Sequence, residues 1–541
     1  MIMPKLSTNA SAGPDGVPAI LLKEAKDNLC FPLAILWQKS IETGEIPELY
    51  KKAHVTPILK TGAPRSNQSS YRPVSLTSHL VKTFERVLKS RLQNHLEFTL
   101  ALNSNQHGFR AKRSCLSQLL AHYDEILKGM EEGANVDSIY LDFSKAFDKV
   151  DLGILCWKMK KLGIQGKLAV WIHNFLRDRK QRIIANGAIS SESTVISGVP
   201  QGTVLGPLLF LIMINDIDEN VLNSCVSVFA DDTRITKVVK CEEDAEELQK
   251  DLESLYDWAR ENNMSFNTSK FEVLRFGRNL DIKNNTNYLT PEAEELIEVK
   301  EVLRDLGVIV NDKATFDDHV DKVCAKVTQK AGWILRTFKC KTTWFMKLMW
   351  KTLIQGHIDY CSQLYQPVRS GKLQRIEDLQ KSYTKKIPEL KSMNYWERLN
   401  SLKMNSQQRR YERYRIIYTW KVLEGSVPNC GITQLHSSED RQGRKCEIPN
   451  LRGAQSVKTL RDNSFQVHGP KLFNSLPSCI RNITKCGVED FKERLDNFLT
   501  RIPDSPKVGH LIPATCDQVN GNPSNSLIDQ IWEYQNKVRG R

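Results

Sequence analysis

The stretch Val226-Ser-Val-Phe-Ala-Asp-Asp-Thr-Arg-Ile235 sets two adjacent carboxylates, Asp231 and Asp232, between two short apolar runs. Val226 and Val228 alternate with smaller residues, which is the period of a strand, and the second run follows the acids at once. The pattern predicts a β-hairpin with two acids at its turn. Acids at a loop tip are ordinarily only solvated. A further acid, Asp142, ends a strand predicted over Ser138-Ile-Tyr-Leu-Asp142. Strand-end carboxylates that meet in a fold could hold divalent metals, the requirement for phosphoryl-transfer chemistry.

Working outward, Ser197 to Pro207 packs three glycines and two prolines between a strand and a helix. Glycine there permits close approach by another backbone or a flat base, and the Gly-Lys-Ser/Thr ending of a phosphate-binding loop is absent. Further upstream, the strand Ala53 to Lys60, a polar loop and the strand Tyr71 to Leu76 put Lys60 and Arg72 on either side of a hairpin. Two cations so placed could clamp a triphosphate, or they are a solvated hairpin edge. Gln106 to Ser114 is a basic loop in which Arg110, Lys112 and Arg113 form either a phosphate-contact patch or a structural lead into a helix capped by Ser114. Asp151 is a second expected N-cap, for a helix over Leu152 to Leu162 that Gly163 ends. Arg177 to Arg182 reads as a cationic turn before a strand at Ile183-Ile184. Lys270 opens a strand over Phe271 to Phe276, and Asp305 to Val310 reads as one further strand.

With 541 residues, 40% hydrophobic and 26% charged, the chain suits two to four folded domains rather than disorder. Lys and Arg number 77 against 63 Asp and Glu, a net charge of +14, which favours an anionic polymer as partner. Thirteen cysteines lie without paired spacing and no secretory signal precedes them, so they read as reduced thiols of an intracellular protein of nucleus or cytoplasm. His436, Cys446, His468, Cys479 and Cys486 are too widely spaced for a zinc finger. The longest apolar run, Leu208 to Ile214, is too short for a membrane span. Beyond about residue 311 the strand pattern gives way to helical spacing, as at Val320, Val323, Val327, Ala331 and Ile334, and Arg409, Arg410, Arg413 and Arg415 cluster on a later helix.

Taken in order, SAGPDGVP (11–18), HVTPILK (54–60), YRPVSL (71–76), QHGFR (106–110), YLDFSKAFDKVD (140–151), SGVPQGTVLGP (197–207) and FADDT (229–233) closely resemble the reverse transcriptase of non-LTR, LINE-type retrotransposons, especially the jockey and CR1-like groups. LIQGHIDYCSQLYQP (353–367) and FQVHGPKLFNSLPSCI (465–480) resemble downstream regions of the same elements. FADD alone is a weak signal, whereas the ordered set is specific.

The resemblance implies an α+β right-hand polymerase: fingers and an antiparallel-sheet palm over 1–311, a helical thumb or connection over 312–425, and a mostly helical C-terminal region over 426–541. It implies RNA-directed DNA synthesis from a primer 3′-hydroxyl, with dNTPs, an RNA template and a DNA primer or target as partners. Asp142 and Asp231 would bridge two Mg²⁺ ions, with Mn²⁺ as a substitute, one activating the primer hydroxyl and the other holding the triphosphate. Asp232 would support them, and Phe143 would offer a main-chain carbonyl. Phe147, five residues past Asp142, takes the position of a steric gate against the ribose 2′-hydroxyl, with ordinary core packing as the alternative. Gln201 and Gly202 match the loop against the incoming nucleotide and template base, Lys60 and Arg72 the triphosphate contacts, and Lys270 the acid that protonates pyrophosphate. Leu306 to Val308 resembles the primer-grip strand.

Elements of this type usually carry an endonuclease ahead of the polymerase, and only about a dozen residues precede the first block here, which leaves no space for one. The competing readings are an inactive nucleic-acid-binding relic of a truncated element and an RNA-directed RNA polymerase. Phe147 and the linked motifs disfavour the latter.

Overall fold

The computed structural model describes residues 7–365, 370–435, 443–502, 504 and 527–539. The end of the 353–367 block and His436 lie outside these residues. Strands concentrate in the first half: β1 (Lys52–Leu59), β2 (Tyr71–Leu76), β3 (Asn135–Asp142), β4 (Arg179–Ala185), β5 (Ala188–Ile189), β6 (Ser193–Val195), β7 (Cys225–Phe229), β8 (Asp232–Val239), β9 (Glu272–Phe276), β10 (Glu298–Lys300), β11 (Val302–Asp305) and β12 (Val308–Asn311).

The central sheet has the order β10-β9-β3-β8-β7 and is antiparallel except where β10 meets β9. Its alternation follows from the sequence. Ile139 and Leu141 of β3, with Val273 of β9, enter one core, which the helices Leu152–Lys161, Gly166–Leu176, Gly206–Met213 and Glu242–Glu261 complete. Val136 of β3, with Leu274 and Phe276 of β9, enters a second core against the helix Cys115–Glu131 and the helical half of the chain. Period-two placement on two covered faces explains why most of β3 is buried. The second sheet runs β2-β1-β4-β5, with β6 on β4. Its β1–β4 pair is parallel, so β4 lies beside β1 only after the chain has crossed the whole helical layer.

Both expected caps are present. Ser114 forms a reciprocal capping box with Ser117, and Asp151 Oδ1 accepts from the Gly153 and Ile154 amides at 2.8 and 3.0 Å. From residue 317 onward the chain is helical, and strand pairing returns only as the two-residue ladder of Gln434–Leu435 with Lys445–Cys446 among the described residues. The arginine cluster there is structural. Arg410 pairs with Asp359 at 2.6 Å, Arg413 with Asp496, and Arg415 donates to the Gln363 carbonyl at 3.0 Å. The cysteines among the described residues are free thiols, and no helix there is long and apolar enough to cross a membrane.

Two expectations are corrected. Arg177 to Arg182 is not all turn, because β4 begins at Arg179, which is only 2% exposed. The Arg179 guanidinium lies 4.9 Å from the Phe175 ring centroid and near the buried Glu85 carboxylate, and these contacts override the polar composition. Asp305 to Val310 is not one strand either. Leu306 takes φ 43° and Gly307 φ 89°, so the segment is a hairpin turn between β11 and β12.

Glu85 ties the layers together. It is fully buried, and its Oε2 accepts from the Val204 and Leu205 amides at 2.7 and 2.9 Å, just ahead of the helix Gly206–Met213. Burial holds its carboxyl above the usual range despite those bonds. Glu85→Ala orphans two amides and is expected to lower stability by about 1–3 kcal/mol, while Glu85→Gln, which keeps an acceptor, loses less. Urea denaturation checks the order of the two variants.

Candidate active site

β7 and β8 form the hairpin expected from the sequence, with Ala230 and Asp231 as its turn and Phe229 opposite Asp232. Across the sheet, Asp142 stands directly opposite Asp232. The three acids therefore meet at one end of the central sheet, although Asp142 lies about ninety residues before the other two. Ala230 takes φ 57°, a conformation that an alanine adopts only when its surroundings hold it.

Gln106 is the support. It is buried, and its Oε1 accepts from the Ala230 amide at 3.1 Å and the Gly108 amide at 2.7 Å. The His107 amide donates to the Val228 carbonyl at 3.0 Å, and the Val228 amide to the Asn105 carbonyl at 3.2 Å, so an isolated parallel bridge ties the start of the QHGFR loop to β7. A Cβ on Gly108 would stand 2.5 Å from the Ala230 nitrogen, which leaves room for glycine alone. Sequence reasoning took this loop for its cations. A glutamine two residues before a glycine is the only sequence signal of the propped turn.

The acids repel one another. Burial and the Asp142 charge hold the Asp231 carboxyl above its ordinary value, while Arg72 and Lys270 pull it down. Asp232 is pushed up to about 6 by its enclosed setting and then by Asp231, Asp142 and Asp305, even though the residue still meets solvent. Lys270, which closes the turn Thr268–Lys270, ion-pairs with Asp142. Among the described residues no three His, Cys, Asp or Glu side chains converge into a ready metal cage. The donor set itself fits a divalent cation: its oxygens are hard ligands, and their crowded charge is what such a cation would relieve.

Phe143 is core. Its backbone bridges to Phe266, the two rings stack at 4.3 Å, and the Asn267 amide donates to the Asp142 carbonyl at 2.7 Å. Phe147 stands half-buried, stacked on Phe210 at 4.4 Å, with the exposed Phe109 edge-on at 6.2 Å. Gln201 Nε2 donates to Asp148 Oδ1 at 3.3 Å, and the Gln201 carbonyl accepts from the Ser75 amide at 2.7 Å. Gly202 takes φ 120°, and a Cβ there would lie 2.3 Å from the Ser75 carbonyl oxygen. The glycine–proline loop is thus sewn to β2. A cavity of about 270 Å³ opens beside it, lined by Pro73, Ser75, Asp148, Gln181 and Gln201 among others. Asp148, missed in the sequence, anchors Gln201, and burial raises its carboxyl.

Arg72 and Lys60 are exposed, and the Arg72 charge reaches Asp231. The structure does not gather Arg110, Lys112 and Arg113 into a free cationic face. Arg110 makes a two-pronged pair with Glu97 at 3.1 and 2.7 Å, Arg113 donates to the Ser104 carbonyl, and Lys112 to the Gly425 carbonyl at 3.2 Å.

Comparison with known proteins agrees with this geometry. The family described as "Reverse transcriptase (RNA-dependent DNA polymerase)" matches residues 58–343, more than half of the 541-residue chain. The X-element transposon protein of Drosophila melanogaster is 26% identical over 395 residues, covering 71% of this chain and 43% of its own length. The RNA-directed DNA polymerase from mobile element jockey of the same fly is 26% identical over 408 residues, with the same shares, and that of Drosophila funebris 27% over 398. The chain thus spans less than half the length of these curated relatives. An apo telomerase from Candida Tropicalis, truncated from its C-terminal domain, is a distant solved structure at TM-score 0.35 and 9% identity, covering 50% of this chain and 55% of that one. Asp142, Asp231, Asp232, Lys270 and the supporting Gln106 all fall within the matched span, and the chain belongs to the reverse transcriptase (RNA-dependent DNA polymerase) family.

Proposed function

We propose that this chain is the RNA-directed DNA polymerase of a jockey-like non-LTR retrotransposon, extending a primer 3′-hydroxyl with dNTPs on an RNA template. The observation that carries the reading is the meeting of Asp142, Asp231 and Asp232 at one sheet end, with Lys270 on Asp142 and the Arg72 charge reaching Asp231. In this reading residues 1–311 are fingers and palm, 312–425 thumb and connection, and 426–541 an element-specific C-terminal region.

Asp142 and Asp231 hold two Mg²⁺ ions, or Mn²⁺, with Asp232 and the Phe143 main chain in support. Bound there, the ions supply activation of the primer hydroxyl and neutralisation of the triphosphate. Arg72 and Lys60 grip the triphosphate, and Gln201 with Gly202 forms a flat wall for the base pair. Phe147, fixed by its stack on Phe210, closes the space a 2′-hydroxyl needs. Lys270 is 58% exposed, free enough to leave Asp142 and protonate departing pyrophosphate.

A second observation supports a nucleic-acid partner. Between Asp321 and Asp359 the chain carries Lys322, Lys326, Lys330, Arg336, Lys339, Lys341, Lys347 and Lys351 and no acid. Some of these cations lie close to one another: burial and then Lys351 and Lys403 lower the Lys347 ammonium, and burial and then Lys326 and Lys330 lower His357. Trp333 and Trp344, 47% and 71% exposed, lie among them as stacking surfaces.

The purified protein is expected to extend a DNA primer on an RNA template with Mg²⁺ and dNTPs, and Asp231→Asn to abolish extension while template binding persists. Salt-sensitive RNA binding by an intact protein that never extends a primer would favour the relic instead. Phe147→Ala should raise ribonucleotide incorporation, measured with mixed nucleotides, and unchanged discrimination refutes the gate. Replacing Lys326, Lys330 and Lys347 by alanine should flatten the plot of log affinity against log salt by about 0.7–0.9 per cation removed. An unaltered slope would show that this face does not touch the polymer.

A further inference from the structure

Two residues beyond Asp232, on the same face of β8, stands Arg234, which is 3% exposed. Its Nη1 is ion-paired with Asp305, the last residue of β11 and itself 5% exposed. Tyr140 lies opposite Arg234 in register, two residues before Asp142, and its hydroxyl senses both charges. Asp305 leads into the Leu306-Gly307 turn, and that turn is held from the other side. The Tyr360 hydroxyl donates to the Leu306 carbonyl at 2.7 Å. Two residues past Gly307, the Ile309 amide donates to His319 Nδ1 at 3.2 Å, in the first turn of the helix Asp317–Thr337.

One chain of contacts therefore runs from the acid-bearing hairpin through Arg234 and Asp305 to the β11–β12 turn, and on to the lysine-rich helices. Stability alone explains it poorly. A buried ion pair is commonly no better than an apolar packing of the same volume, and Arg234 leaves Nε and Nη2 buried without a hydrogen-bond partner among the described residues. What such a pair does confer is a fixed distance and direction between two elements that would otherwise pack through interchangeable apolar contacts. The β11–β12 hairpin needs this, since its two strands pair only with each other.

We propose that Arg234, Asp305 and Tyr360 are positioning residues that lock the β11–β12 turn, and with it the cationic helical half, in register with Asp142, Asp231 and Asp232. Their consequence for synthesis rests on the polymerase reading above: a primer end gripped by the helical half is delivered to the acids in line, where an error of about 1 Å is able to cost about 10²-fold in rate.

The test uses the full chain. Tyr360→Phe removes one hydroxyl from a residue that is 43% exposed and keeps its ring. Asp305→Asn breaks the buried pair, and Asp305→Glu restores the charge. Single-turnover addition of one dNTP is expected to slow about 10-fold in Tyr360→Phe and about 100-fold in Asp305→Asn, with partial recovery in Asp305→Glu. The affinity for primer–template and the apparent dNTP affinity stay at wild-type values. Wild-type extension rates in both Tyr360→Phe and Asp305→Asn overturn the proposal, as does a Tyr360→Phe protein whose only defect is weaker primer–template binding. Hydrogen exchange gives a readout that needs no synthesis: Tyr360→Phe should speed exchange at residues 306–310 and also at 231–233. Faster exchange at 306–310 with none at 231–233 overturns the coupling even if the wild-type protein never extends a primer. Should Asp305→Asn fail to fold, the two Tyr360→Phe measurements decide alone.

Discussion

Three carboxylates share one end of the central sheet, where burial and the neighbouring acids raise the carboxyls of Asp231 and Asp232. The surrounding structure is arranged to hold them together in spite of that repulsion. Asp142 and Asp232 are fixed as a cross-strand pair, so neither is able to withdraw without breaking the β3–β8 ladder. Asp231 sits on a turn whose unfavourable Ala230 conformation is kept by the Gln106 side chain from below. Cations offset part of the repulsion: Lys270 on Asp142, Arg72 at a distance from Asp231, and Arg234 near Asp232. Such a site is unstable by itself and stable only because rigid elements impose it, which is the usual physical mark of a site built for a cation or a reacting phosphate.

The same logic extends to the loops above the acids. The glycine–proline segment is held along its length: Glu85 accepts from the Val204 and Leu205 amides, Asp148 accepts from the Gln201 side chain, the Ser75 amide donates to the Gln201 carbonyl, and the Gly198 and Val199 amides donate to the Val150 and Phe147 carbonyls. Because Ser75 belongs to β2, whose partner β1 leads to Lys60, the hairpin that carries Lys60 and Arg72 is tied directly to the glycine–proline loop. Gly202 has no alternative there, as any side chain would occupy the Ser75 carbonyl.

Most of this was legible where the local pattern and the tertiary environment ask for the same thing. Alternation predicted β3 and the acidic hairpin, and the Ser114 and Asp151 caps were readable because a cap is a contact within four residues. Reading failed where long-range contacts decide. Arg179 looks like a turn residue until Phe175 and Glu85 surround it. Asp305 to Val310 looks like a strand, because a leucine at positive φ leaves no trace in composition. Arg110 looked available to phosphate, but Glu97, thirteen residues earlier, engages it on both prongs. Gln106 props the Ala230 turn and Asp148 anchors Gln201 through partners far along the chain, so no spacing rule identifies these roles.

The two cores on either side of the central sheet divide the work unequally. The core that contains Ile139 and Leu141 joins the acid-bearing sheet to Val199 and Leu205 of the glycine–proline loop, and its contacts are apolar and helix-covered. The core that contains Val136 joins the same sheet to the helical half, and there a buried polar group, Arg234 with Asp305, interrupts the apolar packing close to the acids. Apolar contacts tolerate small slides, whereas a charge pair in a low-dielectric setting has one acceptable geometry. The polar interruption therefore lies at the joint between the acid-bearing sheet and the lysine-rich helices, where one geometry is imposed. Specific positioning, rather than added stability, is what the ion pair contributes to this fold.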